Sequence, residues 1–178
     1  HYNSIGDVFA FSVGGYYMGS DGFFKNDITG RKADDAQVGG GRLRTLWKPN
    51  TKLKLDFSAS YDYSDEGAYP YYYKCPADGA ETVEYPELIG LISNNREHSY
   101  RRGLFNTGLN VTYNTKGWTM ISVTGFQNIH DDMKMDQDFL YPDIYFMQQK
   151  QDINTMSEEF TFKKHIELGE GVKWCPMT

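Results

Sequence analysis

The sequence predicts an all-β protein, an antiparallel up-and-down meander whose strands are long enough to be a segment of a transmembrane β-barrel. Three observations carry this expectation. Residues 53–63 alternate without a break, with Leu53, Leu55, Phe57, Ala59, Tyr61 and Tyr63 set against Lys54, Asp56, Ser58, Ser60 and Asp62. A period of two is that of an extended strand with one apolar and one polar face. The stretch also has the length of roughly 9 to 11 residues that a tilted strand needs to cross a bilayer, where a strand in a soluble domain usually runs about 5 or 6. The connections, finally, alternate in length: short at 3–6, 48–51 and 115–117, long at 19–36, 65–101 and 131–147. Transmembrane barrels show this pattern because their periplasmic turns are tight and their extracellular loops long. Tyr61 and Tyr63 close the apolar row where an interfacial girdle of aromatic rings would lie.

Composition permits this class and removes others. Only 39% of the 178 residues are apolar and the mean hydropathy is -0.62. There is no apolar run near the roughly 18 residues of a membrane helix, a criterion that does not detect barrel strands because alternation hides their hydrophobicity. A formal charge of -6 without a basic domain argues against nucleic-acid binding, which neutralises phosphates with clustered Lys and Arg. Cys75 and Cys175 belong to no CxxC or Cys/His ligand pattern. A disulfide between them would need an oxidising compartment and an ordered tail around Cys175. The chain opens on His1 with no initiator Met and no basic and apolar leader, so the expectation is a mature fragment or a piece of something larger.

In chain order, residues 1–6 read as the end of a strand and a turn rich in Asn, Ser and Gly. The first complete strand spans 7–18, with Phe9, Phe11, Val13 and Tyr17 on one face and Ala10, Ser12 and Gly14 on the other. A polar loop without period follows. The strand at 37–47 puts Leu43, Thr45 and Trp47 on one face and Arg42 and Arg44 on the other, and 48–51 (Lys-Pro-Asn-Thr) forms a tight turn. Placing Trp47 opposite Leu53 brings Thr45 beside Leu55, Leu43 beside Phe57 and Arg44 opposite Asp56. After a long aromatic and proline-bearing loop, 102–114 alternates again, then turns through 115–117 into a strand at 118–130. Its register stays open, because Ile121 and Val123 share one parity and Met120 and Phe126 the other. A loop at 131–147 and a strand at 149–162 follow, then a charged turn at 163–171. The domain reading is therefore a partial barrel over 1–171 and the truncated start of a further strand over 172–178.

The strings AFSVGGYY, SDGFF, TGRKADD, GGRLRTLWKP, LKLDFSASYDYSDEGAYPY, YRRGLFNTGLNVTY, DQDF and YFMQQKQ resemble, in order and spacing, the barrel portion of TonB-dependent outer-membrane receptors of Gram-negative bacteria, nearest to the iron-complex type. The resemblance runs from residue 1 to about 164. It implies a bacterial outer-membrane location, a larger barrel, a plug domain inside it, energy delivered through TonB and import of a scarce nutrient such as a ferric siderophore. No plug and no TonB box is present, so the chain alone is not expected to transport. Where such receptors continue from a Trp into another strand, Lys173-Trp174 runs into CPMT, which reads as a truncated or frameshifted frame or a deliberately short piece. A glycan- or cobalamin-importing receptor is the nearest rival for substrate. A soluble carbohydrate-binding module, burying the Leu53 to Tyr63 row against a second sheet, is the rival from another class, and a substrate-binding enzyme domain ranks third.

Candidate chemistry is sparse. Arg42, Arg44, Lys52, Lys54 and Asp56 belong to the polar face beside a short turn, where they would meet the lumen, a plug or each other as ion pairs. Tyr69, Tyr71, Tyr72 and Tyr73 offer stacking surfaces for a catecholate, a macrocycle or a sugar, or else pack the loop against the rim. Asp131, Asp132, Asp136 and Asp138 match no EF-hand loop and read as a solvated acidic loop. His1, His98, His130 and His165 form no metal-binding spacing. Gly39, Gly40 and Gly41 lack the Lys-Ser/Thr of a phosphate loop and read as a place for sheet curvature. With no nucleophile and base set to assemble, the sequence reads as a non-enzyme that calls for no cofactor and no metal.

Overall fold

The computed structural model describes residues 1–67, 69–72, 74 and 84–164. Seven strands form one antiparallel sheet in sequence order: β1 (Tyr2–Ile5), β2 (Phe9–Ser20), β3 (Ala36–Trp47), β4 (Leu53–Glu66), β5 (Ser99–Asn114), β6 (Trp118–Asp136) and β7 (Phe146–Lys164). The predicted all-β meander is therefore present. The sheet is open, with β1 and β7 at its edges. The only helical piece among the described residues is a single 3-10 turn at Pro86–Leu88, and no helix is long and apolar enough to cross a membrane. The turns at 6–8, 48–52 and 115–117 gather at one end of the sheet and the loops at 21–35, 67–98 and 137–145 at the other.

Strict alternation gives the sheet two unlike faces. One row of the apolar face runs Phe11, Thr45, Phe57, Leu109 and Thr124 across β2 to β6. Trp47, Tyr113 and Trp118 lie towards the turn end, with the Tyr113 and Trp118 rings 5.8 Å apart, and Tyr17, Tyr61 and Tyr63 lie towards the loop end. The polar face carries Ser12, Arg44, Ser58, Gly108, Gly125 and Ser157 in one row. On this face Gly40 has a definite task. Tyr16 of β2 reaches over it to donate a hydrogen bond to Asp62 of β4 at 2.7 Å, and a Cβ at position 40 would meet the Tyr16 ring at 2.7 Å.

The alternation weakens at β6 and β7. Ser122 and Thr124 both donate to the Glu158 carboxylate, Asn128 donates to Asn154, and His130 meets Asp152, all on the otherwise apolar face. Ile121, Val123, Ile129 and Ile153 stand on the polar face. This mixed patterning is why residues 118–130 resisted a register from parity alone. The structure pairs Tyr113 with Met120 and Leu109 with Thr124.

Three expectations are corrected. Trp47 faces Leu55, not Leu53, and Thr45 faces Phe57, Leu43 faces Ala59 and Arg44 faces Ser58. The cause is the turn: the Asn50 side chain accepts the Lys52 and Leu53 amides at 2.9 and 3.0 Å, so the turn takes in Lys52. A slip of two residues keeps every side chain on its face. Arg44 still finds Asp56 diagonally, through bonds of 2.9 and 2.8 Å. Lys52, secondly, is a turn residue and not part of a strand face; its carbonyl accepts the Asn114 amide. Thirdly, 131–136 is strand and not loop. β6 continues because its partners on both sides continue: Asp131 lies opposite Arg102 of β5 and Asp132 opposite Lys150 of β7, so the charges that suggested a solvated loop are neutralised across the ladder. Residues 165–178, with His165, Cys175 and the expected truncated strand, lie outside the described residues, as does Cys75.

Among the described residues the buried apolar ones are Leu88, Ile92 and Leu140, and all three belong to the loops. Among the described residues the sheet itself has no second layer, so Trp47, Tyr61, Tyr63 and Phe57 remain 36 to 52% exposed. The loops instead form a cap of their own. Buried Asn26 donates to the Asn94 carbonyl and its Oδ1 accepts the Ile28 and Thr29 amides. Asp27 and Ile92 exchange bonds in both directions, and Ser93 donates to the Phe139 carbonyl. Segments up to 68 residues apart are tied by this polar network, which follows the rule that buried polar groups are hydrogen-bonded.

Candidate functional site

Two surfaces gather the side chains capable of recognition. The first is a hollow of about 450 Å³ on the polar face, lined by Tyr16, Arg42, Arg44, Ser58, Ser60 and Asp62 among others. It exists because β2 to β6 place small residues there: Gly14 beside Arg42, and Gly108 beside Ser58 and Gly125. Arg44 is held by Asp56, while Lys54 stands on the same face opposite Thr112. Of the five charged residues expected to share this face, the structure brings Arg44 and Asp56 into contact, sets Arg42 and Lys54 along the same face and puts Lys52 in the turn. The Arg44 side chain is 67% exposed and Asp56 19%, so the pair orders the face more than it stabilises it.

The second surface is the loop end. Tyr69 and Tyr71 stack at 5.6 Å and 13°, and Tyr71 meets the Phe139 ring edge-on at 5.2 Å. Phe139 also faces His98 at 6.2 Å. Tyr72 is 57% exposed, and Tyr73 lies outside the described residues. Phe139 has φ 56°, a left-handed conformation that costs a bulky residue of order 1 kcal/mol or more and persists only where the surroundings enforce it. Here the enforcing contacts are its ring neighbours and its carbonyl, which accepts Ser93.

Behind the aromatic group lies a cleft of about 370 Å³ whose walls include Asp21, Asn26, Arg31, Asp35, Asn94 and His98. Its rim is braced by the Arg31–Glu97 ion pair, and Arg96, beyond it, pairs with Asp143 at 2.6 Å while lying over the Phe146 ring. The floor of the cap rests on Asp136, which is 1% exposed and accepts the Asn95 amide at 3.0 Å. Burial first, and then the neighbouring Asp138 charge, push the Asp136 carboxyl above the usual carboxylate range. Asp138 binds the Leu140, Ile144 and Tyr145 amides. The four acidic residues thus hold backbone or ion-pair partners, and no metal-binding group of three is found among the described residues.

Sequence reasoning weighed His98 only as a metal ligand and did not single out Phe139. Neither carries a local signal: one is an isolated His, the other a Phe within an acidic stretch, and only the meeting of the loops at 67–98 and 137–145 makes them neighbours. No protein-family model, curated protein or solved structure matches the chain.

Proposed function

We propose that the chain is a wall segment of an outer-membrane TonB-dependent receptor whose parent imports a ferric siderophore or a similar iron complex. The observation that carries the reading is the two-faced single sheet, with aromatic rings near both ends of its apolar face, tight turns at one end and packed loops at the other. In this reading the apolar face meets lipid and the polar face, with Arg42, Arg44 and Lys54, meets the lumen and a plug domain. Tyr69, Tyr71 and Tyr72 face the incoming ligand, and TonB acts on the parent. The soluble carbohydrate-binding alternative requires a second layer over the Leu53 to Tyr63 row, and none exists among the described residues. Strand parity supports further strands. With seven strands in up-and-down order β1 and β7 run in the same direction, so an all-antiparallel closure needs an odd number of additional strands.

The test uses Trp47 and Trp118 in a chain whose third tryptophan is replaced, Trp174→Phe. In vesicles containing brominated lipids, both are expected to be quenched most by bromines close to the headgroups. Unquenched emission from a monodisperse, cooperatively unfolding protein in plain buffer would defeat the membrane reading. Transcript levels that do not rise under iron limitation would remove the siderophore.

A further inference from the structure

β7 ends the sheet, and along its far side no strand is paired among the described residues. Exposed edges are ordinarily blunted by shortness, proline or a bulge. β1, at the opposite edge, is four residues long. β7 has 19 residues, contains no proline, and pairs with β6 without interruption from Trp118 opposite Lys164 to Asp136 opposite Phe146. Alternate amides and carbonyls along it therefore stand open to a further ladder.

The side chains of β7 narrow what fits there. Several charges in this sheet are neutralised across neighbouring strands: Arg44 by Asp56, Arg102 by Asp131 and Lys150 by Asp132. Glu158 differs. It lies in the row of Phe57, Leu109 and Thr124 on the apolar face, and on the β6 side it accepts the hydroxyls of Ser122 and Thr124, which satisfy its oxygens but cancel no charge. No ion pair among the described residues includes it. With β6 on one side, the open side for a cation is the far one. Met156 and Phe160, two residues away in either direction on the same face, are 74 and 65% exposed and flank the carboxylate with apolar surface.

We infer that the free edge of β7 takes up an extended strand running antiparallel to it, with a lysine or arginine opposite Glu158 and apolar side chains opposite Met156 and Phe160. Every pairing in the sheet is antiparallel, and opposite charges set directly across a ladder attract. Main-chain bonds to the open edge supply affinity, and the side chains across from it supply selection. A second copy of the chain meets the charge in one register, with Lys150 opposite Glu158. That register sets Asp152 opposite Met156 and Gln148 opposite Phe160 and carries the second copy's loops to the turn end, so a strand of different sequence is the better occupant. In the wall reading it is the next strand of the parent. The inference rests on the sheet continuing past β7, but not on its lying in a membrane, which the lipid quenching measures separately.

The probes are three synthetic strands of alternating apolar and polar residues, N-methylated along one edge so that they do not assemble into sheets, and identical except for Lys, Gln or Glu at the position across from Glu158. Binding of the labelled strands to the full chain in detergent micelles is read by fluorescence anisotropy, and its place by residue-resolved amide exchange. The Lys strand is expected to bind about 5-fold tighter than the Glu strand, with the Gln strand between them, and to slow exchange along β7. Glu158→Gln, which keeps an oxygen for Ser122 and Thr124, should level the order, and Glu158→Lys should reverse it. Equal affinity for the three strands, protection that appears along β1 instead, or an order that survives in Glu158→Gln overturns the proposal. Outward amides of β7 that are protected before any probe is added overturn it too, since the edge is then filled by the chain itself or by a second copy. If neither variant folds, the order of affinities and the place of protection in the unsubstituted chain decide by themselves.

Discussion

Leu109 and Asn110 are consecutive on β5, at the same height and on opposite faces, and substituting each by Lys separates a membrane wall from a soluble sheet. Leu109 lies between Phe57 and Thr124, half-buried in the apolar face, and Asn110 lies beside Asp56 on the polar one. Phe57 stands midway along the Leu53 to Tyr63 row, so Leu109 is at mid-height of the apolar band. A Lys facing lipid near the midplane costs roughly 2 to 4 kcal/mol. Leu109→Lys should therefore lower the folding equilibrium in phospholipid vesicles by about 3 kcal/mol, roughly 150-fold. Asn110→Lys should change it by less than about 1 kcal/mol, since the new charge reaches water or Asp56. Denaturant titration of both variants in vesicles, followed by tryptophan emission, reads the difference. Equal losses, or a Leu109→Lys protein that is merely more soluble and equally stable, would refute lipid contact on this face.

Other consequences are equally concrete. Removing Glu158 from the apolar face, as Glu158→Leu, is expected to stabilise the vesicle-bound state by about 1 kcal/mol, read in the same titration, because Ser122 and Thr124 lose only one shared acceptor each. A double-mutant cycle on Arg44→Met and Asp56→Asn should return a coupling of about 0 to 1 kcal/mol, and urea unfolding of the four proteins measures it. Asp136 lies on the part of β6 that runs past the Tyr63 and His130 level, outside the apolar band, and its folded-state carboxyl titrates above the unfolded value. It therefore contributes most stability below the ordinary carboxylate value of about 3.9 and loses that contribution as pH rises through its raised value. Protection of the Asn95 amide, corrected for intrinsic exchange, should fall over that interval. Asp136→Asn, which keeps an acceptor for Asn95 and ends the repulsion with Asp138, should flatten the dependence.

Much of the architecture was legible because a period of two is a local property. The rows from Phe9 to Tyr17 and from Leu53 to Tyr63, the Arg42 and Arg44 face, and the ends where turns and loops gather all follow from residues close in sequence. Register was less legible. The faces survive a slip of two, so the alternation of 37–47 and 53–63 fits two pairings equally, and the Asn50 side chain chooses between them by bonding the amides of Lys52 and Leu53. Residues 131–136 failed for a related reason: their charges look solvated until Arg102 and Lys150 are set across from Asp131 and Asp132.

The sequence by itself determined an all-β meander of long, two-faced strands with connections segregated by length, since each of these is written in neighbouring residues. Only the tertiary structure decided where the buried core of the described residues lies, which is in the loops around Leu88, Ile92 and Leu140, not in the sheet. It alone also joined Tyr69, His98 and Phe139. Those contacts depend on folding the 67–98 loop back on itself and closing the 137–145 loop over it, and the free energy of such closure belongs to pairs of residues far apart in the chain, which no local pattern records.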